Sequence, residues 1–414
     1  MPKQTLIAGV DIGSNQVCCV AGVPGEDGRI IKILGSSVVP CNDGIKAGAV
    51  INIQEAALAV SRAFDETEKA VGSQIGSIIV AVRGSFVEPK NSTGSADINN
   101  SEKKVTPEVV ANVLDSARNK IKIDSDRQIL QIVPKEFTLN QQKDIRYQNP
   151  IGMSGSFIEV DVHALIAGSG NIDNIMTAVD AEVDGKIYSY LAASDVLVTK
   201  EEKELGCLVV DFGGLTTGLV HYVDGILRYT SEIPVGSDNI TRDIMHKLRA
   251  SFAVSKEVKE MYGAAFEYPD FKNEEFEYRA ADGRSMKKFD KAQLMEIIQP
   301  RIEQVLFSID KIMKDSAYGE QFLSGGIILT GGGSLLMGLP EAVEKYFGCS
   351  VRVGVPNSEK VIGVNDIVSS PVYTAAIGAA ASALTDNYGS YVSSKTSSKN
   401  GFFSKAAKWF EDTF

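Results

Sequence analysis

Two aspartates stand in the same local plan in distant parts of the chain. Asp11 closes the apolar run of TLIAGVDIGS (5–14), and Asp211 closes that of LGCLVVDFGG (205–214). Each is followed two positions on by a glycine, and then by a small residue. The carboxylate arrives where the run gives out, and the glycine lets the backbone turn tightly and approach a ligand. Two such turns facing each other would hold one phosphate chain and its metal from both sides. A third stretch, GIILTGGGSLLMGLP (326–340), sets a glycine triplet between a strand and a helix start. The pattern predicts a nucleotide clasped between two similar halves.

The elements that must position these turns follow from periodicity. An apolar run without alternation suits a strand buried on both faces. Strands are expected at 5–10, 16–23 and 29–39. A helix is expected over 53–71, where Ala56, Ala57, Val60, Ala63, Phe64 and Val71 recur at helical spacing. SIIVAVRG (77–84) reads as another buried strand. Residues 84–160 are more polar and read as a small inserted module. It holds a helix with Thr106 as N-cap and Pro107 at the first helical position, then a strand-like QILQIVPKEFTLN. VDVHALIAG (160–168) is expected to resume the parent fold, and two helices, NIDNIMTAVDAE and YLAASDVLVTKEE, to fill 171–200. Strands at 206–211, 216–223 and 226–233 then repeat the opening, an internal duplication of fold. Helices over 237–262, a charged small subdomain over 266–290 and a long amphipathic helix over 290–317 follow. GIILTGGG, VRVGVP and the Ala-rich PVYTAAIGAAASAL (371–384), suited to close helix packing, complete the second half.

At 414 residues, two large domains are the default. A net charge of −11 and a pI near 5.0 argue against general nucleic-acid binding. No apolar stretch approaches the length of a bilayer span. The N-terminus runs straight into the first motif, which leaves no room for a removable signal peptide. The five cysteines (18, 19, 41, 207, 349) contain no CxxC pair and read as reduced thiols, mainly small core residues, of a cytosolic protein. Three histidines (163, 221, 246) make a His-based metal site or triad a poor reading; His163 and His221 sit in apolar strand-like runs.

The C-terminus carries a second signal. Residues 385–400, TDNYGSYVSSKTSSKN, are polar and without periodicity, which is a flexible linker with a reach of roughly 20–24 Å on coil scaling. In GFFSKAAKWFEDTF (401–414), a helical wheel puts Phe402, Phe403, Ala406, Ala407, Trp409, Phe410 and Phe414 on one face with Thr413. Ser404, Lys405, Lys408, Glu411 and Asp412 take the other. Aromatic residues opposite lysines suit a bilayer interface better than a protein groove or self-docking. Each large aromatic contributes roughly 1.5–3 kcal/mol on burial. Ordering so short a helix offsets much of that, so one copy binds weakly and several on one polymer bind tightly.

With these residues in view, DIGS, VVDFGGLTTGL and ILTGGGSLLMGL resemble the two phosphate loops and the adenosine loop of the actin/Hsp70/sugar-kinase superfamily. VRGSFVEPKNSTG, NPIGMSGSFIEVDVH, EIPVGSDNITRDI and EIIQPRIEQVL, with the terminal amphipathic helix, are similar to the FtsA family of bacterial division proteins over essentially the whole chain. The resemblance implies an α/β, actin-like (ribonuclease H-like, duplicated) two-domain fold. Domain 1 would take residues 1–83 with 161–200 and 365–384, and carry the inserted α+β subdomain 84–160. Domain 2 would take 201–235 with 300–364, and a small subdomain 236–299. The linker 385–400 and the membrane-targeting helix 401–414 would follow. It also implies ATP and Mg²⁺ as cofactors. Asp11 and Asp211 match the aspartates that hold Mg²⁺, usually through waters. Gly13, Ser14 and Asn15 match the first phosphate turn, and Gly213, Gly214, Thr216 and Thr217 the second. Gly331, Gly332, Gly333 and Ser334 match the loop beside adenosine, and Lys259 the helix lysine that closes over it.

Three departures from the pattern stand out. Gln16 replaces the usual lysine of the first loop, the second loop reads GGLTTG rather than GGGTTD (Leu215 and Gly218), and Ser189 stands where a Glu or Gln often positions the attacking water. A short hydroxyl is poorly suited to that task, so ATP binding with slow or absent hydrolysis is expected. The resemblance further implies self-association into a filament at the inner membrane face, at the division site. It implies contact of the small subdomain with the C-terminal peptide of the tubulin-like polymer FtsZ, contact with other division proteins, and lipid binding through Phe402, Phe403, Lys405, Lys408, Trp409, Phe410 and Phe414. Two rival readings are a sister actin-like scaffold of the type IV pilus kind, which should lack the free membrane helix, and an Hsp70-type chaperone or sugar kinase. A chaperone would need a substrate domain where this chain has only a short tail, and no sugar-pocket aspartate is evident.

Overall fold

A computed structural model describes residues 5–26, 28–142, 148–266, 274–316 and 323–384 of the chain. The linker 385–400 and the membrane-directed residues of 401–414 lie outside them. The chain opens with strands β1 (Leu6–Ile12), β2 (Gln16–Pro24) and β3 (Ile31–Pro40), a short hairpin of β4 (Ile45–Lys46) and β5 (Ala49–Val50), helix α1 (Ile53–Val71) and β6 (Ile75–Val82). The side chain of Asn52 accepts the N–H groups of Gln54 and Glu55 to start α1, and Gly72 at φ 73° ends it in the left-handed region that glycine enters freely. Next come β7 (Val87–Asp97), α2 (Pro107–Lys120), β8 (Arg127–Leu139) and β9 (Phe157–Gly168), followed by α3 (Ser169–Val179), β10 (Gly185–Tyr188), α4 (Ser189–Leu197) and α5 (Lys200–Leu205). The second half holds β11 (Cys207–Phe212), β12 (Thr217–Val223), β13 (Ile226–Ile233), α6 (Ser237–Leu248), α7 (Phe252–Tyr262), β14 (Glu275–Arg279), β15 (Met286–Asp290) and α8 (Lys291–Asp315). It continues through β16 (Ile327–Thr330), a 3-10 turn (Gly332–Leu335), α9 (Leu339–Phe347), β17 (Val351–Val353), β18 (Val361–Gly363), α10 (Asn365–Val368) and α11 (Thr374–Ser382).

The expected duplication is present strand for strand. One sheet runs β3-β2-β1-β6-β10 and the other β13-β12-β11-β16-β17. In each, the first three strands are an antiparallel meander, the fourth pairs in parallel with the central strand, and the fifth pairs in parallel with the fourth. Every residue of β1 and of β11 is buried, as their unalternating apolar runs require. Asp11 pairs with Cys18 and Ala81, and Asp211 with Gly218 and Thr330, so the two carboxylates hold equivalent register positions.

Close packing sets the first sheet against its helices. A Cβ at Gly9 would run into the backbone of Ala376 and Ala380, and one at Gly378 into the backbone of Ala192. The small side chains of α11 therefore let it lie directly on β1 and against α4. Apolar cores fill each half, and a third lies between α2 and the insert's sheet.

Four expectations are corrected. The strand expected at 160–168 does not resume the parent sheet; β9 is the central strand of a separate sheet, β7-β9-β8, and the insert runs through it. Its apolar residues face α2 on one side and neighbouring elements on the other, so its doubly buried look misled. Residues 185–188, passed over between two helices, form the edge strand β10, too short for a periodic signal. The helix expected through YLAASDVLVTKEE is two: Thr199 starts α5 with a reciprocal capping box to Glu202. Finally, β18 pairs with β3 and belongs to the first half's sheet, not to domain 2.

Candidate functional site

A cavity of about 440 Å³ lies where the two duplicated turns meet. The turns have the same internal closure: Gly13 N–H donates to the Gln16 carbonyl at 2.9 Å, and Gly213 N–H to that of Thr216 at 3.0 Å. They also touch each other. Ser14 Oγ accepts from the Leu215 N–H at 3.0 Å, and Asn15 Nδ2 donates to Asp238 Oδ2 at 2.7 Å, so two bonds join the halves across the cleft.

Asp11, Gly13, Ser14, Asn15, Asp211, Gly213, Gly214, Lys259 and the triplet Gly331, Gly332 and Gly333 all line this cavity. Gly331 sits at φ 80°, and a Cβ there would overlap Asp211 Oδ1. A Cβ at Gly333 would press on Phe212, whereas one at Gly332 would meet only Val372, at 3.9 Å. The triplet thus threads a narrow gap beside the second turn and leaves an open cradle at its centre. Lys259 is buried, and its Nζ donates to the Ser237 carbonyl at 3.2 Å. Burial lowers its ammonium below the usual lysine range, against the pull of Asp238.

Thr216, Thr217 and Ser334 are not among the lining residues. Thr216 Oγ1 pairs with the Tyr190 hydroxyl at 3.2 Å, Thr217 Oγ1 donates to the Val235 carbonyl, and Ser334 Oγ to that of Gly331. These hydroxyls brace the walls. Ser189 is fully buried and donates to Asp11 Oδ1 at 3.0 Å, so its hydroxyl is committed. Gly218, one of the departures, has a local reason: a side chain there would overlap the Tyr190 ring, whose hydroxyl donates to Glu232 at 2.6 Å.

The residue that sequence reasoning missed is Arg83. It directly follows β6, and its guanidinium lies between the two aspartates. Nη2 is 2.5 Å from Asp11 Oδ2, Nε 3.2 Å from Asp11 Oδ1, and Nη1 3.5 Å from Asp211 Oδ2. Burial acts to lower the guanidinium's basicity, but Asp11 and Asp211 more than offset it. Burial pushes the Asp211 carboxyl up, Arg83 pulls it back, and Asp11 adds to the rise. Asp211 Oδ1 is buried without a hydrogen-bond partner. Two hard carboxylates suit a divalent cation in type, yet the guanidinium stands between them. Among the described residues, no group of three or more His, Cys, Asp or Glu is arranged to hold a metal. A signal for Arg83 was available: a lone cation ending the apolar run of SIIVAVRG. Asp238 and Ser237, at the start of α6, also line the cavity and carried no such signal. No helix among the described residues is long and apolar enough to cross a membrane.

Comparison with known proteins agrees with this architecture. Residues 208–378 match the family described as cell division protein FtsA, and residues 84–166 match the SHS2 domain inserted in FtsA. The FtsA of Pseudomonas aeruginosa is 31% identical over 376 residues, covering 90% of this chain and 88% of that protein. The FtsA of Borreliella burgdorferi is 32% identical over 419 residues, covering 99% and 98%. Among solved structures, the PilM-PilN type IV pilus biogenesis complex superposes with a TM-score of 0.65 at 16% identity, covering 92% of this chain and 98% of that one. MreB5 of Spiroplasma citri bound to AMPPNP gives 0.53 at 12% identity, covering 91% and 95%. These likenesses establish the actin-like fold, and the sequence relationship, extending over most of both chains, establishes more: the chain belongs to the FtsA family of bacterial cell division proteins.

Proposed function

We propose that the chain binds ATP in the cleft between its halves, assembles into filaments at the inner membrane face of the division site, and tethers FtsZ polymers to the membrane through residues 401–414. The observation that carries the reading is the cavity itself. Three glycine-bearing turns, two from equivalent strands of duplicated sheets, converge on it with backbone that no Cβ obstructs. Such turns offer N–H groups to phosphate oxygens. The MreB5 structure bound to AMPPNP adds support, since its fold is shared.

In this reading Gly13, Ser14, Asn15, Gly213 and Gly214 surround the phosphates, Gly331 to Gly333 flank the adenosine, and Lys259 covers it. The hydroxyls of Thr216, Thr217 and Ser334 hold the walls. Asp11 and Asp211 are the carboxylates a phosphate-bound Mg²⁺ would meet, but with Arg83 between them the residues do not offer two free carboxylates, and no step is assigned to the metal. Hydrolysis is slow because Ser189 is bonded to Asp11 rather than presented to a water. Nucleotide acts by favouring the closed state of the two halves, in which Asn15 reaches Asp238, and so shifts the population toward filament contacts.

The tether rests on the segregated face of Phe402, Phe403, Trp409, Phe410 and Phe414 with Lys405 and Lys408 opposite. FtsZ contact is placed on the small subdomain, 236–299. The test is co-sedimentation with anionic vesicles and ATP, using the full chain and a chain stopped after residue 400, with and without FtsZ. The full chain should pellet and carry FtsZ with it, and the shortened chain should remain in solution while still binding FtsZ peptide. A full chain that stays in solution would remove the tether.

A further inference from the structure

The cleft contains a cation that belongs to the protein. Arg83 bridges Asp11 and Asp211, the two carboxylates placed at equivalent ends of the duplicated central strands. Its side chain is 6% exposed, those of Asp11 and Asp211 9% and 5%, and all three line the cavity. A Cβ built on Gly213 would lie 3.8 Å from Arg83 Nη1, so the guanidinium also stands against the second phosphate turn. The ring of Tyr190 lies beside it, 5.3 Å from Cζ to the ring centroid, and β6 anchors its backbone. Gln16 occupies the first turn's cavity position, Lys259 is tied to α6, and Lys256, also lining the cavity from α7, lies beside Glu260, so Arg83 is the cation in contact with both aspartates.

The charges explain why such a residue matters to an anionic ligand. Two bare carboxylates at the head of a phosphate cleft would repel a triphosphate. Charges this close are screened far less in a cleft than in water. A divalent ion normally removes this repulsion, though it must shed water to do so. A guanidinium is always charged, offers five donors in a rigid fork, and is weakly hydrated. Fixed to Asp11 by two bonds, it is already in place before ligand arrives. Asp211 lines the cavity, and its Oδ1 is buried without a hydrogen-bond partner, so the trio's acceptors are not all met within the fold.

We propose that Arg83 is the resident cation of this nucleotide site, standing between Asp11 and Asp211 where a divalent ion would otherwise be held, so that the chain binds ATP with little dependence on Mg²⁺. This rests on the reading that the cleft takes ATP. Arg83 neutralises the carboxylates, and its remaining donor capacity faces the phosphates beside Gly213. It also makes good the positive charge that Gln16 does not supply.

The test is equilibrium binding of ATP to the full chain in excess Mg²⁺ and in excess EDTA, for the wild type, Arg83→Lys and Arg83→Gln. The wild-type Kd should change by less than about threefold, and Arg83→Gln should gain a Mg²⁺ dependence of about tenfold or more. Arg83→Lys, which keeps charge but not the fork, should fall between. A second readout needs no nucleotide: Mn²⁺ titration followed by electron paramagnetic resonance should show no uptake by the wild type and one bound ion in Arg83→Gln, lost again on adding Asp211→Asn. ATP bound by the wild type only with Mg²⁺ would overturn the proposal while leaving the ATP reading intact. ATP bound under neither condition would overturn both. Should Arg83→Gln fail to fold, the wild-type comparison and Arg83→Lys still decide.

Discussion

The two halves solve one geometric problem with different parts. In the first, the carbonyls of Gly13 and Ser14 accept the N–H groups of Gly48 and Ala47 from the β4–β5 hairpin. In the second, the carbonyls of Gly213 and Gly214 accept the N–H groups of Ser237 and Asp238 at the start of α6. The first turn reaches across the cleft with side chains, Ser14 and Asn15; the second answers with backbone at Leu215 and a carboxylate borrowed from α6. The aspartates diverge as well. Asp11 has both oxygens engaged, by Arg83 and Ser189, while Asp211 has one distant contact and one bare oxygen. Duplicated sheets therefore deliver equal positions, and the elements added to each half decide what each position does.

The widest difference should appear between the aspartates. Asp11→Asn leaves Arg83 buried without its bidentate partner and should cost about 3–5 kcal/mol in denaturant unfolding, whereas Asp211→Asn should stay within about 1 kcal/mol. Equal losses would break the asymmetry.

The insert, an addition to the first half alone, docks on β13 of the second. His163 on β9 bonds Asn91 and, at 3.0 Å, Thr230 Oγ1, and Arg228 approaches Glu136 beside it. Burial, reinforced by the charge of Lys135, holds the His163 imidazole down at about 3. The folded value lies below the unfolded one near 6.5, so the unfolded chain takes up a proton that the folded chain refuses. Stability is full above pH 6.5 and falls by about 1.4 kcal/mol per pH unit from there toward pH 3. Melting curves of His163→Gln should lack this contribution.

Gly218 and the equivalent position, Cys18, mark a smaller contrast, because the Tyr190 ring of α4 takes the space a side chain at 218 would need. Gly218→Ala should destabilise by about 1–3 kcal/mol through overlap with Tyr190, and Tyr190→Ala should relieve the overlap in the double variant. The smallest effect belongs to the cross-cleft bond. Asn15→Ala should cost about 0.5–1.5 kcal/mol, read as faster hydrogen exchange at both turns and quicker release of bound nucleotide.

Much was legible from order along the chain. Unalternating apolar runs ending in Asp-x-Gly located β1, β11 and both turns; Thr106-Pro107 located the start of α2; and the alanines of 371–384 predicted close helix packing, though not that α11 would lie on β1. These depend on local backbone preference and on burial, which a sequence carries in its periodicity. Other assignments depended on which strand lies beside which. The apolar pattern of β9 reads the same in either sheet, and β18 and β10 are too short to show a pattern at all. Thr216 and Thr217 have the right residue type for a phosphate loop, yet neighbours distant in the chain take their hydroxyls. Arg83 could be seen as an odd charge after a strand, but its meaning required Asp11 and Asp211 to converge on it from 72 and 128 positions away. Short-range periodicity along the chain accounts for the duplicated sheets and for the places of the carboxylates and glycines. Which charge neutralises which follows from the folded arrangement, because Coulomb interaction and burial depend on distance through space and not along the chain.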